Sequence, residues 1–234
     1  RDWSSDVCSS DLGKSTVAKQ LAEKLHYVFV DSGAMYRSVT LFFLENKVEW
    51  TDEKEVTDVL KKITISFRFN KNLKRSETFL NDVNVEEEIR EMRISNAVSL
   101  VSAIKPVRKF LVEQQQKIGM KKGVVMDGRD IGTVVFPDAE LKIFMTASEE
   151  VRVKRRFEEL QNKDLLVSID EVRKNIHDRD YEDTHRKESP LTKADDAIVL
   201  DNSFMTKDEQ LNFILERAIE RMKRSEEHTS ELQS

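Results

Sequence analysis

Cysteine is almost missing from this chain: Cys8 is the only one in 234 residues. That excludes an internal disulfide framework and fits a reducing compartment without requiring one. Proline and glycine are scarce too, at three and six residues. No Pro/Gly/Ser-rich linker divides the chain, and no internal repeat is visible. No apolar run approaches the roughly 20 residues of a membrane-spanning helix, and no targeting signal stands out. Nor is there an excess of one charge: 39 Lys+Arg face 44 Asp+Glu, a net charge of -5. Near balance argues against a general nucleic-acid coat, although a local basic pocket remains compatible with it. What is present, 38% hydrophobic and 35% charged residues, is the composition of a charge-rich globular protein. The length suits one α/β domain with a small inserted subdomain. A chain of this size buries about 70% of its unfolded surface and needs no staple.

The two ends stand apart. Residues 1–12 and 224–234 show no apolar period and no cap logic. They are related through DNA: one back-translation of Arg224–Ser234, reverse-complemented and shifted by one base, encodes Asp2–Leu12. Ends coded by opposite strands of one segment are expected to be translated read-through of a sequencing adapter, so both are set aside as non-native tails. Two of the basic and six of the acidic residues lie in them, which leaves 13–223 within one charge of neutral and free of cysteine. Thiol catalysis is thereby excluded for that stretch, and the natural start is expected to have been replaced.

The remaining pattern alternates strand and helix, as in a parallel α/β sheet. A helix is expected over Lys14–Leu25, with Val17, Ala18, Leu21, Ala22 and Leu25 at helical spacing. A short strand over 27–30 follows, then helices over Ala34–Glu45 and Asp52–Lys61. From Ile63 to Phe69 apolar and polar residues alternate, and further short strands flank Asn81-Asp82, so 62–88 reads as a small β-rich insertion. Two helices come next, the second opening at Pro106. Strands return at 124–126, 141–145 and 197–200, with helices over Ser148–Leu160, Ser168–Lys187 and Thr206–Lys223. The count is four core strands, and a first strand before Gly13 is expected to be missing.

Three motifs carry possible chemistry. Gly13-Lys14-Ser15-Thr16 opens a helix, which suits the second half of a phosphate-binding loop and an ordinary helix start alike. The full loop pattern needs a glycine five residues before Gly13, where Cys8 stands. Asp127-Gly128-Arg129-Asp130-Ile131-Gly132-Thr133 follows an apolar strand. An acid at such a strand end can face a ligand crevice, and the alternative is a tight solvated turn. Arg179, Asp183 and Arg186 share one face of the long helix by their spacing. For the helix taken alone a salt-bridged solvent face is the better explanation, and the same explanation applies to Arg152, Lys154, Arg155 and Arg156. The histidines show no metal-ligand spacing.

Together these stretches resemble the bacterial cytidylate kinases, the (d)CMP kinase branch of the nucleoside-monophosphate kinases. The likeness rests on GKSTVAKQLAEKL at 13–25, VDSGAMYR at 30–37, Asn96-Ala97 with Ser99, Pro106-Val107-Arg108, DGRDIGTVVFPDA at 127–139, and RDxxDxxR at 179–186 with Pro190-Leu191. It runs from Gly13 to about Met222. The resemblance implies a P-loop NTPase-type parallel sheet flanked by helices, with the 62–88 insertion enlarging the nucleoside-monophosphate region and a lid at Gln161–Leu166. It implies transfer of the γ-phosphoryl group of ATP to CMP or dCMP with Mg²⁺, by a cytoplasmic monomer that needs neither nucleic acid nor membrane.

The same resemblance assigns roles. Gly13, Lys14, Ser15 and Thr16 hold the ATP phosphates, with Ser15 toward Mg²⁺. Ser32, Arg108 and Asp130 face the cytosine, and Tyr36 packs near it. Arg37, Arg129 and Arg186 hold the acceptor phosphate. Ser99, Arg179 and Asp183 contact the ribose. Arg155 or Arg156, near the lid, neutralises charge in the transition state. Rival readings are another acceptor (UMP or AMP) and a non-catalytic nucleotide binder. Because the glycine-rich half of the loop and the strand before it are absent, this chain is expected to bind ATP weakly and to fold poorly. Restoring an apolar strand and a Gly-x-x-x-x segment before Gly13 should raise ATP affinity in a direct binding titration, and unchanged affinity would contradict the loop reading.

Overall fold

The computed structural model describes residues 2–6, 12–70, 72, 75–120, 122–162, 166–186 and 188–231. The described chain divides into two compact units: 1–29, 122–185 and 189–234 form the first, and 30–121 with 186–188 form the second.

The first unit holds a five-stranded sheet, except for Val30 and Asp31, the last two residues of its second strand. In chain order its strands are β1 (Asp2–Asp6), β2 (Val28–Asp31), β6 (Val124–Gly128), β7 (Leu141–Thr146) and β8 (Ile198–Asp201), in the spatial order β2-β6-β1-β7-β8. β1 runs parallel to β6, with Asp2 opposite Val124, and parallel to β7, with Trp3 opposite Leu141. β7 runs parallel to β8, with Ile143 opposite Ile198. β6 is buried along its whole length, as the continuous apolar run Val124–Met126 requires of an inner strand.

Helices α1 (Lys14–Leu25) and α8 (Lys207–Glu231) carry apolar stripes into one core. There Val17, Leu21 and Ala22 of α1 meet Val125, Ile143, Met145 and Leu200 of the strands and Leu211, Ile214 and Ala218 of α8. α6 (Glu149–Gln161) and α7 (Ile169–His185) join through a smaller cluster of Val153, Val172 and Ile176.

Three expectations change here. The position of a first core strand is not vacant, because Asp2–Asp6 occupies it between β6 and β7. Ladder hydrogen bonds are made by the main chain, so an extended segment can satisfy the facing edges of two strands whatever its side chains. The C-terminal segment expected to be formless continues α8 to Glu231, since adding a residue to an existing helix is far easier than nucleating one. And α7 ends at His185, so Arg186 lies beyond the helix rather than on one face of it.

The second unit holds α2 (Ser32–Glu45), α3 (Glu53–Leu60), α4 (Met92–Ser102), α5 (Lys105–Gly119) and a three-stranded antiparallel sheet, β3 (Ile65–Asn70), β4 (Arg75–Leu80) and β5 (Val83–Asn84). The sheet lies inside the stretch singled out as an insertion. Asn81 and Asp82 both take positive φ, 47° and 67°, which makes the tight turn between β4 and β5. The apolar alternation of β3 does not give one buried face. Ile63 is buried, but Phe69 at the far end is 61% exposed. Met35, Phe43, Leu60, Ile94, Val101, Val107 and Leu111 form the buried interior of this unit.

Leu111 of α5 is fully buried. Leu111→Ala should lower the unfolding free energy by about 2–5 kcal/mol in chemical denaturation, the usual cost of such a cavity.

Candidate active site

In the first unit Gly13 precedes α1 with φ 72° and ψ 12°, a left-handed conformation that glycine adopts without strain. The first turn of a helix leaves its leading N–H groups without intrahelical acceptors and carries the positive end of the helix dipole, which suits an anion. Lys14 lies in that turn and is only 6% exposed. The Ser15 hydroxyl donates to Oδ2 of Asp127 at 2.6 Å, tying the start of α1 to the C-terminal end of β6. Asp127 is 4% exposed. A buried carboxylate beside a helix start and a lysine makes a compact set of hard oxygen donors and opposite charge.

Asp127 is expected from the sequence as a strand-end acid facing either a ligand crevice or a solvated turn, without a named role, and the structure buries it against Ser15. Its signal was in the sequence: three apolar strand residues ending in an acid.

After β6 the chain turns through Arg129 and Asp130 into a wide turn at Ile131–Val135, where the N–H of Val135 donates to the carbonyl of Asp130 at 3.2 Å. Asp130 is buried. Arg129 donates through Nε to Oδ2 of Asp183 at 2.5 Å, so two expected site residues, one just after β6 and one on α7, meet. Arg179 lies one helical turn before Asp183 on α7. Between them Asp180 accepts both guanidinium nitrogens of Arg152, at 2.5 and 2.9 Å. Arg155 donates to Oδ1 and to the carbonyl of Asn202, both at 2.9 Å. Arg156 pairs with Glu159 on its own helix. The expected lid at 161–166 includes 163–165, which lie outside the described residues.

In the second unit Asp31 caps α2 by accepting from the Ala34 N–H at 2.9 Å. That fixes the start of a helix carrying Ser32, Tyr36 and Arg37, of which Ser32 and Tyr36 are buried. Arg108 of α5 is also buried; it donates to the Ser102 carbonyl at 3.2 Å and its guanidinium lies 5.6 Å from the centre of the Tyr36 ring. Two of the expected base contacts are therefore neighbours. Arg37 donates to the Ser95 hydroxyl at 3.2 Å, on the helix that carries Ser99 one turn later. Arg186 belongs to this unit.

Arg90 supports the base of α2. It donates to Oε1 of Glu86 through Nε at 3.1 Å and also lies 3.8 Å from Asp31. Burial pushes the Glu86 carboxyl up, but the bonds from Arg90 and Thr78 outweigh it and hold it below the ordinary 4.5.

A profile of the family described as Cytidylate kinase matches residues 8–221. The chain belongs to the cytidylate kinase family. A protein named Cytidylate kinase from Flavobacterium johnsoniae is 54% identical over 210 residues, covering 88% of this chain and 91% of the relative. Those of the same name from Parabacteroides distasonis and Cytophaga hutchinsonii are 53% identical over 211 and 213 residues, covering 89% and 91% of this chain and 92% and 91% of theirs. Among the described residues no helix is long and apolar enough to cross a membrane.

The lowered Glu86 pKa carries a pH dependence of definite sign. Its share of stability is complete above its unfolded value of 4.5 and is lost as pH falls through the lower folded value. Glu86→Gln should flatten the fall in unfolding midpoint between about pH 6 and about pH 3. An equally steep fall in the variant would remove Glu86 from the account.

Proposed function

We propose that this chain transfers the γ-phosphoryl group of ATP to CMP or dCMP, giving ADP and CDP or dCDP. The observation that carries the reading is the Ser15–Asp127 contact beside Lys14 at the start of α1, in a member of the cytidylate kinase family. A strand-end acid bonded to the first hydroxyl after a glycine-lysine pair is the arrangement that cradles a nucleotide's phosphates.

Lys14 and the leading N–H groups of α1 neutralise the β and γ phosphates. Ser15 and Asp127 offer the hard oxygens that suit Mg²⁺, which would supply charge neutralisation between the phosphates. Arg37, Arg129 and Arg186 grip the acceptor phosphate, where planar guanidinium forks match its oxygens. Ser99, Arg179 and Asp183 take the ribose. Asp130 accepts from the cytosine amino group and Arg108 donates to the ring acceptors, with Ser32 and Tyr36 beside them. The Arg108–Tyr36 approach supports this pairing.

An acceptor phosphate oxygen attacks the γ phosphorus of ATP, a new P–O bond forms, and the bond to the β–γ bridging oxygen breaks with ADP leaving. No side chain acts as a nucleophile. Alignment and electrostatic stabilisation carry the rate. Arg156 and Arg155, on α6 near the expected lid, are the remaining candidates for transition-state charge; Arg155 is already engaged with Asn202. The protein works as a cytoplasmic monomer on free nucleotides.

Uracil presents a carbonyl where cytosine presents an amino group, so Asp130 should repel it. Turnover with CMP or dCMP should exceed that with UMP or AMP by about 100-fold or more. Asp130→Asn should narrow the CMP-to-UMP gap. Equal turnover of all four acceptors, or CMP binding without ADP release, would overturn the reading. Lys14→Ala should lower kcat by about 100-fold or more while leaving the fold intact by circular dichroism.

A further inference from the structure

Asn202 follows β8 and is 0% exposed. Its side chain is fully engaged. Nδ2 donates to the Leu12 carbonyl at 2.8 Å and to Oε1 of Gln210 at 3.0 Å, and Oδ1 accepts from Arg155 at 2.9 Å. Its main chain is engaged as well: the N–H donates to the Thr146 carbonyl at 2.8 Å, and the carbonyl accepts a second nitrogen of Arg155 at 2.9 Å. One amide thus joins the ends of β7 and β8, helices α6 and α8, and the residue that leads into Gly13. The orientation of the amide follows from its partners, because a guanidinium only donates and a main-chain carbonyl only accepts.

Among the described residues, the bond from Asn202 is the side-chain contact that meets the Leu12 carbonyl. Gly13 has positive φ, and the place a Cβ would take has no atom within 4 Å. A glycine in open space is permissive about its own dihedrals. The buried Leu12 side chain anchors residue 12 in the core, and the direction of its carbonyl is a separate degree of freedom, which the Asn202 bond restrains. When the carbonyl turns, the Gly13 N–H turns with it, since they share one planar peptide. We infer that Asn202 is a positioning residue for the phosphate-binding end of α1, holding the 12–13 peptide in register with Lys14 and Ser15. This rests on the reading of Gly13–Thr16 as the site of the ATP phosphates.

The isosteric change Asn202→Asp isolates the contact. It keeps the volume and the acceptor toward Arg155 but replaces the donor facing Leu12 with an oxygen. Gln210 can flip its amide to donate in return; a main-chain carbonyl cannot. Two variants accompany it: Asn202→Ser, which removes the amide without adding charge, and Gln210→Met, which disturbs the same junction without touching residue 12.

The primary readout is amide hydrogen exchange without nucleotide, which reports on positioning whether or not the chain is a kinase. Exchange within 14–17, read at Val17, whose N–H donates to the Gly13 carbonyl at 3.2 Å, should rise about tenfold or more in both Asn202 variants, while 211–218 of α8 stays protected. Gln210→Met should cost stability but leave 14–17 unchanged. In steady-state kinetics the KM for ATP should rise about tenfold in Asn202→Asp, with the KM for CMP within about twofold. Unchanged exchange at 14–17 overturns the inference. So does a rise no larger than that in Gln210→Met at the same loss of melting temperature. Altered exchange at 14–17 with equal changes in both KM values upholds the positioning role and instead overturns the assignment of Gly13–Thr16 to ATP.

Discussion

The hydrogen bond from Ser15 to Asp127 is the contact on which the account depends. It joins the first turn of α1 to the end of β6, two segments 112 residues apart in sequence. The sheet makes the meeting possible. In a parallel α/β arrangement helix starts lie at the strands' C-terminal ends, so an acid ending β6 and a hydroxyl opening α1 converge at one edge. A carboxylate this deeply buried is costly unless it is bonded, and a hydroxyl donor meets part of that cost.

Pre-placed guanidinium groups are the second theme. Arg129 is held by Asp183, Arg152 by Asp180, and Arg155 by Asn202. In the second unit Arg37 is held by Ser95 and Arg108 by the Ser102 carbonyl. Long side chains lose rotamer freedom when they bind, and holding a guanidinium in place within the fold removes part of that loss in advance.

Local pattern carried much of the architecture. α1 matches Lys14–Leu25 because its apolar spacing, glycine cap and lysine-bearing last turn agree. The turn at Asn81-Asp82 was readable from residues that tolerate positive φ. Non-local features were not readable. The pairing of β1 between β6 and β7 is a main-chain event without a side-chain signature. The exposure of Phe69 near the end of β3 is a tertiary feature, which alternation alone does not encode. Arg186 falls past the helix because α7 stops at His185, a boundary that charge spacing could not locate. Asp127 was visible as a strand-end acid, yet its tie to Ser15 needed three dimensions. Asn202 had no signal at all, since its meaning lies in four partners from distant parts of the chain.

The most direct measurement follows the γ-phosphate of ATP by ³¹P nuclear magnetic resonance in the presence of CMP. The account predicts that its signal is replaced by the β-phosphate of CDP in step with ADP formation. Loss of ATP to inorganic phosphate alone, or a CMP complex in which ATP persists unchanged, would contradict it.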